Sequence, residues 1–273
     1  MLFTIHKIES KSILTKCNIN GIDYALNPYI GCLHGCRYCY ADFMRRFTGH
    51  REPWGKFLDV KINAPLLLEK ELMKKKSGVV AIGTVTDAYQ PVELQYKLTR
   101  KCLIKLLDST MSISILTKSA NILRDKDILV KFKNIEVGFT VTLLDEGIKK
   151  LFEPLSSSSK ERLRACGELS ALGITTWIFF GPVLPYFGDS ESHIRALLTY
   201  AKKSGAKYVL VDVLNPYPSV WARIISLIQK NFSPRILDKY LYYYEHKFLY
   251  RKELKHKILK INAKVQIPVR FAF

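Results

Sequence analysis

Short apolar, β-branched runs alternate with longer amphipathic ones along most of this chain, and that rhythm restricts its fold more than any other feature. Val79-Val80-Ala81-Ile82-Gly83-Thr84-Val85 predicts a buried strand, and Glu93 to Leu107 predicts a helix with Leu94, Leu98, Cys102 and Leu106 on one face. The pairing returns with Ser112 to Thr117 before Asn121 to Phe132, and with Ile135 to Thr142 before Asp145 to Phe152. It returns again with Ile174 to Phe180 before Ser190 to Lys203, and with Tyr208 to Val213 before Val220 to Lys230. With a first strand in Tyr24 to Ile30, six βα units result. Strands apolar on both faces and separated by helices require a parallel sheet covered by helices, either doubly wound or a barrel. Six units are too few to close an eight-stranded barrel and suit an open, partial one.

The pattern divides the chain into an N-terminal extension (1–23), a core domain (24–230) and a C-terminal extension (231–273) that is basic and rich in tyrosine. In the last part, Leu237 to Leu259 reads as helix and Ala263 to Phe273 as a closing strand. Ser156 to Ser159 reads as a loop that supplies an N-cap for a helix from Lys160 to Leu172.

The 273 residues suit one large α/β domain with extensions, and 48% hydrophobic residues exclude a disordered chain. Lys and Arg number 43 against 24 Asp and Glu, a net charge of +19 that attracts polyanions such as nucleic acid, although solvated lysines on helix faces supply much of such an excess. Aromatics interleaved with cations in Lys239-Tyr240-Leu241-Tyr242-Tyr243-Tyr244-Glu245-His246-Lys247 suit base stacking with phosphate contact, or a helix packing its tyrosines on the barrel. No window approaches the ~20 apolar residues of a membrane span, and the N-terminus lacks a charged segment followed by an apolar run, so the expectation is a cytoplasmic protein with no membrane partner. Six cysteines, three of them scattered, point to reduced thiols and a metal rather than to a disulfide framework.

The other three cysteines, Cys32, Cys36 and Cys39, fall within eight residues in GCLHGCRYCY (Gly31 to Tyr40). Structural zinc wants four ligands, usually in two separated pairs, and no second pair exists; His34 lies between two of the thiols, where strain makes it a poor fourth. A 4Fe-4S cluster also normally takes four thiolates. With three, one iron keeps an open position at which a substrate or cofactor can bind. Cys17, Cys102 or Cys166 could still close the cluster and make it an electron-transfer centre, although Cys102 and Cys166 lie on helices as core residues do. Ligands of parallel α/β sheets sit at the C-terminal ends of strands, where Thr84, Thr86, Asp87, Lys118 and Thr140 fall.

CxxxCxxC at the end of a first strand, followed by βα units, resembles the radical S-adenosylmethionine (SAM) superfamily over about residues 24 to 230. Asn27-Pro28-Tyr29, Thr86-Asp87, Thr117-Lys118 and Phe152-Glu153-Pro154 are similar to its spore photoproduct lyase-like branch. The resemblance implies a partial (βα)6 TIM-like barrel in which Cys32, Cys36 and Cys39 hold a 4Fe-4S cluster that chelates SAM. An external electron donor then drives reductive cleavage to a 5′-deoxyadenosyl radical, which abstracts hydrogen from a substrate. It further implies that Thr86 and Asp87 meet the methionine amino group, Lys118 its carboxylate and Thr140 the ribose. Tyr38 and Tyr40 would stack on adenine or relay a radical. Thr84 stands where the branch's namesake carries a cysteine that returns a hydrogen atom, and a hydroxyl holds its hydrogen far more tightly than a thiol. The substrate is left open, with nucleic acid a candidate class; the alternative is a nucleic-acid-binding module with a structural iron-sulfur cluster and no catalysis.

Overall fold

The computed structural model describes residues 3–75 and 77–273, so the first two residues of the N-terminal extension lie outside the described residues. In chain order its strands are β1 (Thr4–Ile8), β2 (Leu14–Lys16), β3 (Tyr24–Leu26), β4 (Tyr29–Ile30), β5 (Phe57–Lys61), β6 (Val79–Ile82), β7 (Ser112–Thr117), β8 (Ile135–Thr140), β9 (Thr175–Val183), β10 (Val209–Val213) and β11 (Val269–Phe271). The main sheet runs β11-β10-β9-β8-β7-β6-β3-β2. The six expected strands, β3 and β6 to β10, lie side by side in the order of the sequence and all pair in parallel. With helices covering them this is an open, partial (βα)6 barrel. At the middle of the sheet Gly138 of β8 is required by its neighbour, because a Cβ there would sit 2.4 Å from the Trp177 indole of β9.

Both extensions are built into this sheet. β2 pairs antiparallel with β3 at one edge, and β11 pairs in parallel with β10 at the other. Helix Lys247–Val265 sends Leu254, Ile258 and Ile261 into the main core. Parts of the expected extensions on either side of 24–230 thus pack directly on the core domain.

Four expected elements are interrupted. The helix expected over 121–132 divides into the 3-10 helix Ala120–Asp125 and the short helix Lys126–Leu129. The first strand splits after Leu26, and Tyr29–Ile30 turns away to pair antiparallel with β5, which in turn pairs in parallel with β1 in a separate small sheet. The helix expected over 93–107 breaks at Lys97, whose φ of 53° is left-handed, into Glu93–Tyr96 and Leu98–Leu106. The Glu93 carboxylate accepts the N–H groups of Thr99 (3.1 Å) and Arg100 (3.3 Å), satisfying donors at the start of the second helix. The break turns Leu94 outward, to 50% exposure, while Leu98, Cys102 and Leu106 stay buried. The C-terminal helix breaks at His246 into Pro234–Glu245 and Lys247–Val265. Its tyrosines divide: Tyr240 and Tyr243 are buried, whereas Tyr242 stacks on His246 and Tyr244 on Trp221 at the surface. The helix Ser159–Ala171 begins as expected, with the Ser158 hydroxyl and the Glu161 carboxylate forming a reciprocal capping box.

The outward turn of Leu94 is open to test by urea denaturation. Leu98→Ala should lower stability by about 2–5 kcal/mol, as buried leucine truncations do, whereas Leu94→Ala should change it by less than about 0.5 kcal/mol.

Candidate functional site

The three clustered cysteines sit on a loop pinned at several points. At Gly31 (φ +89°) a Cβ would come within 2.6 Å of the Phe57 carbonyl oxygen, so the chain passes only as glycine. The Gly31 carbonyl accepts the Thr86 hydroxyl, and the Leu33 N–H donates to Gln90 Oε1 at 2.8 Å. On its far side the Arg37 N–H donates to the Phe152 carbonyl at 2.8 Å, and His34 Nδ1–H to the Leu155 carbonyl at 3.0 Å. His34 lines the same cavity as the thiols, with its buried Nε2 3.3 Å from Asp87 Oδ2 and no hydrogen bond at that nitrogen.

Cys32, Cys36 and Cys39 line one cavity together with Tyr40, Thr84, Thr86, Asp87, Lys118 and Thr140 at the strand ends. Tyr38 is the one expected site residue not in that wall. It is buried, its hydroxyl donates to Glu153, and its ring lies beneath Lys118, whose Nζ is 5.6 Å from the ring centroid. In this position the Tyr38 ring is covered by Lys118 rather than open to the cavity. None of the remaining cysteines joins the cavity: Cys102 and Cys166 are in the main core, and Cys17 lines a groove on the other side of Tyr40.

The strand-end residues divide into fastened and unfastened groups. Asp87 accepts the Thr117 hydroxyl (2.7 Å) and the N–H groups of Lys118 (2.7 Å) and Tyr89 (2.9 Å), tying the end of β7 to the loop after β6. Burial alone would raise its pKa, but His34 and these hydrogen bonds outweigh it and hold the carboxyl well below the usual range. The Thr86 hydroxyl accepts from Gln90 Nε2 at 2.9 Å, and that of Thr84 from Asn27 Nδ2 at 2.9 Å. Tyr40, half-exposed at the mouth, donates its hydroxyl to the Thr84 carbonyl. The Thr140 hydroxyl, by contrast, is fully buried with no hydrogen-bond partner. The Lys118 ammonium makes no salt bridge among the described residues, its one contact being the Tyr38 ring. Burial would depress its pKa, but Cys36, Glu153, Cys39 and Asp87 together raise it, so the group stays a cation whose nearby negative charges do not contact it directly.

Burial pushes all three thiols up, Cys36 to about 12, with Lys118 opposing the shift at Cys36 and Cys39. All three are free of disulfides. Three soft thiol donors in one cavity wall, beside a cation, fit an iron-sulfur cluster. Such a cluster binds thiolates, so its binding releases the thiol protons.

Behind the cavity lies a group that sequence reasoning missed. Arg162 is fully buried, and its guanidinium donates to the Thr140 carbonyl (2.8 Å), the Ser157 carbonyl (2.7 Å) and the Glu153 carboxylate. Glu153 in turn accepts from Tyr38, closing a chain of contacts from β8 to the cysteine loop. Nothing local marks Arg162, which stands in an ordinary helical run; Glu153 was visible only as part of Phe152-Glu153-Pro154. Trp54, also unanticipated, completes the cavity wall.

Residues 26–201 match the family model described as the Radical SAM superfamily. An uncharacterized protein of Methanocaldococcus jannaschii is 39% identical over 187 residues, covering 68% of this chain and 70% of that protein. An uncharacterized protein of Mycobacterium tuberculosis is 28% identical over 279 residues, covering 97% and 82%. Among solved structures, spore photoproduct lyase complexed with dinucleoside spore photoproduct superposes with a TM-score of 0.72 at 12% identity, over 99% of this chain and 82% of that one. Streptococcus suis SuiB bound to S-adenosylmethionine superposes with a TM-score of 0.54 at 16% identity, over 91% and 49%. At those identities the two structures show a shared fold.

The Glu153–Arg162 pair should be visible in the pH dependence of stability. Burial raises the Glu153 pKa, but Arg162, Lys118 and the hydrogen bonds from Arg162 and Tyr38 overcome it and hold the group at about 2, below its ordinary 4.5. A depressed carboxylate stabilises the fold above its unfolded pKa and loses that contribution as pH falls toward the folded one. Urea midpoints of the wild type should therefore drop between about pH 4.5 and 2 by more than those of Glu153→Gln. At neutral pH Glu153→Gln should be less stable by about 3–5 kcal/mol, because the Arg162 charge stays buried without its partner.

Proposed function

The chain belongs to the radical SAM superfamily, and on that premise we propose that Cys32, Cys36 and Cys39 hold a 4Fe-4S cluster and that the adjoining strand ends receive S-adenosylmethionine in a reductive cleavage reaction. The observation that carries this reading is the pairing of three thiols with a Lys118 ammonium that makes no salt bridge among the described residues and an unpartnered Thr140 hydroxyl in one cavity wall. When bound, the cluster and SAM supply one-electron cleavage of a sulfonium and a 5′-deoxyadenosyl radical able to abstract hydrogen from a substrate.

The chain's own residues have distinct tasks in this scheme. Lys118 offers a point charge to the cofactor carboxylate in a partly desolvated site. Thr140 offers a hydroxyl whose hydrogen bond is otherwise unmade, suited to the ribose. Asp87 keeps its charge while its oxygens are occupied by Thr117, Lys118 and Tyr89, so it favours the cofactor's ammonium as a nearby negative charge. Thr86 keeps the cysteine loop against the end of β6 through the Gly31 carbonyl. The Tyr40 ring flanks the mouth. Thr84 has a hydroxyl held by Asn27 and no thiol, so return of hydrogen to a product radical does not run through that position. The cleavage consumes one electron, which an external donor would supply.

Nucleic acid is the substrate class we propose to test first. The 3-10 helix Tyr40–Phe47 follows Cys39 directly and exposes Phe43 and Phe47, with the Arg46 guanidinium 5.3 and 4.8 Å from their ring centroids. Aromatic faces beside a cation suit stacking on bases with phosphate contact, and the net charge of +19 supports it. A non-catalytic nucleic-acid-binding module with a structural cluster would bind in the same way and leave SAM intact.

Anaerobic reconstitution should load about four irons with as many sulfides, and dithionite with SAM should then yield 5′-deoxyadenosine. Cys32→Ala, Cys36→Ala or Cys39→Ala should each lose both properties. Lys118→Ala should keep its iron content and visible absorbance while SAM binding weakens by about thirty- to a thousandfold, the equivalent of roughly 2–4 kcal/mol. Wild-type SAM affinity in Lys118→Ala would remove the assignment, and full loading with no cleavage under several reductants would favour the non-catalytic module. Affinity for single-stranded oligonucleotides should fall steeply as salt rises, with a shallower slope for Arg46→Ala; binding indifferent to salt would remove nucleic acid as the polyanion.

A further inference from the structure

On the far side of the cysteine loop, the small sheet holds a cluster that plays no part in the chemistry above. β1 and β5 pair in parallel with His6 opposite Asp59, which places both side chains on one face. His50, in the segment between the 3-10 helix and β5, reaches the same point. His50 Nε2 is 2.8 Å and His6 Nδ1 is 3.7 Å from Asp59 Oδ1, and the three donor atoms all lie within 4.8 Å of one another. We propose that His6, His50 and Asp59 form a binding site for a divalent ion of the zinc class.

The chemistry of the donors supports it. Two imidazoles and a carboxylate are a donor set that zinc takes up in tetrahedral geometry, with the remaining position left to water. Bonds of zinc to nitrogen and oxygen place donors roughly 3.3 Å apart, a spacing that the 2.8 and 3.7 Å separations bracket, so small side-chain shifts suffice. The second ring nitrogen of His50, Nδ1, lies 3.3 Å from Glu52 Oε2, the carboxylate–histidine contact that orients an imidazole toward a metal. His50 and Asp59 are buried, while the His6 side chain is 60% exposed, which leaves an entry path and room for the water ligand.

The location gives the ion a structural task. The His50 ring lies between His6 (4.7 Å) and Phe57 (4.6 Å), and Phe57 packs in the same apolar cluster as Cys32, Ala41 and Trp54. The segment from His50 to Gly55 backs the cysteine loop directly, since a Cβ on Gly55 would come within 2.5 Å of the Gly35 Cα. An ion here would tie β1 and that segment to β5 and brace the wall behind the thiols. The inference does not depend on the radical SAM chemistry.

The test is zinc binding by equilibrium dialysis with metal analysis. It is made on the anaerobically reconstituted chain and on a Cys32→Ser/Cys36→Ser/Cys39→Ser variant, in which the thiols cannot compete. Both should retain about one zinc per chain, with affinity falling by more than roughly a hundredfold in His6→Ala and by about tenfold in Glu52→Gln. Added zinc should raise the Tm of the wild type and leave that of His6→Ala unchanged, because only a bound ion stabilises by mass action. His6 is exposed, so its loss leaves the fold intact, and iron loading of His6→Ala should equal that of the wild type. If the triple variant is unfolded by circular dichroism, the comparison of His6→Ala with wild type in the reconstituted chain decides alone. Equal zinc affinity with and without His6, or no zinc retained by the wild type, would overturn the proposal and leave a hydrogen-bonded His50–Asp59 pair.

Discussion

The geometry of the candidate site depends on the buried ion pair between Arg162 and Glu153. A guanidinium and a carboxylate removed from water cost several kcal/mol each unless their hydrogen bonds are nearly all made, and here they are. Arg162 donates to Glu153, to the carbonyls of Thr140 and Ser157 and to the Ser156 hydroxyl, and Glu153 also accepts from Tyr38. A fixed guanidinium fork thereby joins the end of β8, the start of the helix Ser159–Ala171 and the loop that carries the thiols. The guanidinium itself joins segments within 22 positions of one another, and Glu153 carries the link on to Tyr38, 115 positions away. The pair serves position more than stability, since a well-packed apolar substitute could match its energy but could not orient a carbonyl, a phenol and a turn at once.

That clasp also shapes the charge balance of the cavity. The thiols are buried and their pKa values raised, a state that favours neutral sulfur until a metal takes the thiolate. Lys118 stands over the Tyr38 ring beside Cys36 and Cys39 and partly offsets the desolvation of both. Asp87 is hydrogen-bonded into the scaffold, whereas Lys118 forms no salt bridge among the described residues, so the wall offers one cation free to contact an incoming anion. An anionic cluster and a ligand carboxylate both complement that sign.

The two ends of the chain finish the architecture around this centre. An open sheet leaves two edges, and here each is taken by a strand from an extension, β2 on one side and β11 on the other. Arg270 on β11 lies 4.0 Å above the Tyr208 ring, adding a cation to that edge. The small sheet of β1, β5 and β4 takes a different position, covering the outside of the cysteine loop through Phe57 and Trp54. The thiols are thus enclosed between the barrel ends and a second layer that the βα rhythm does not announce.

The βα rhythm and the spacing of Cys32, Cys36 and Cys39 determined the class of sheet and the candidate donor set by themselves, because periodicity and thiol chemistry are local properties. Local pattern was also enough to place Thr84, Thr86, Asp87, Lys118 and Thr140 in one wall, since each follows or ends a parallel strand. The tertiary structure alone decided what those residues are free to do. Asp87 and Thr86 are consumed by neighbours 30 or more positions away, Tyr38 is drawn out of the wall by Glu153, and Leu94 is turned outward by the break at Lys97. Arg162, β1, β5 and the meeting of His6, His50 and Asp59 were equally invisible in advance. Hydrogen-bond saturation and cross-strand register depend on which distant segments arrive at the same place, and neither leaves a period in the sequence.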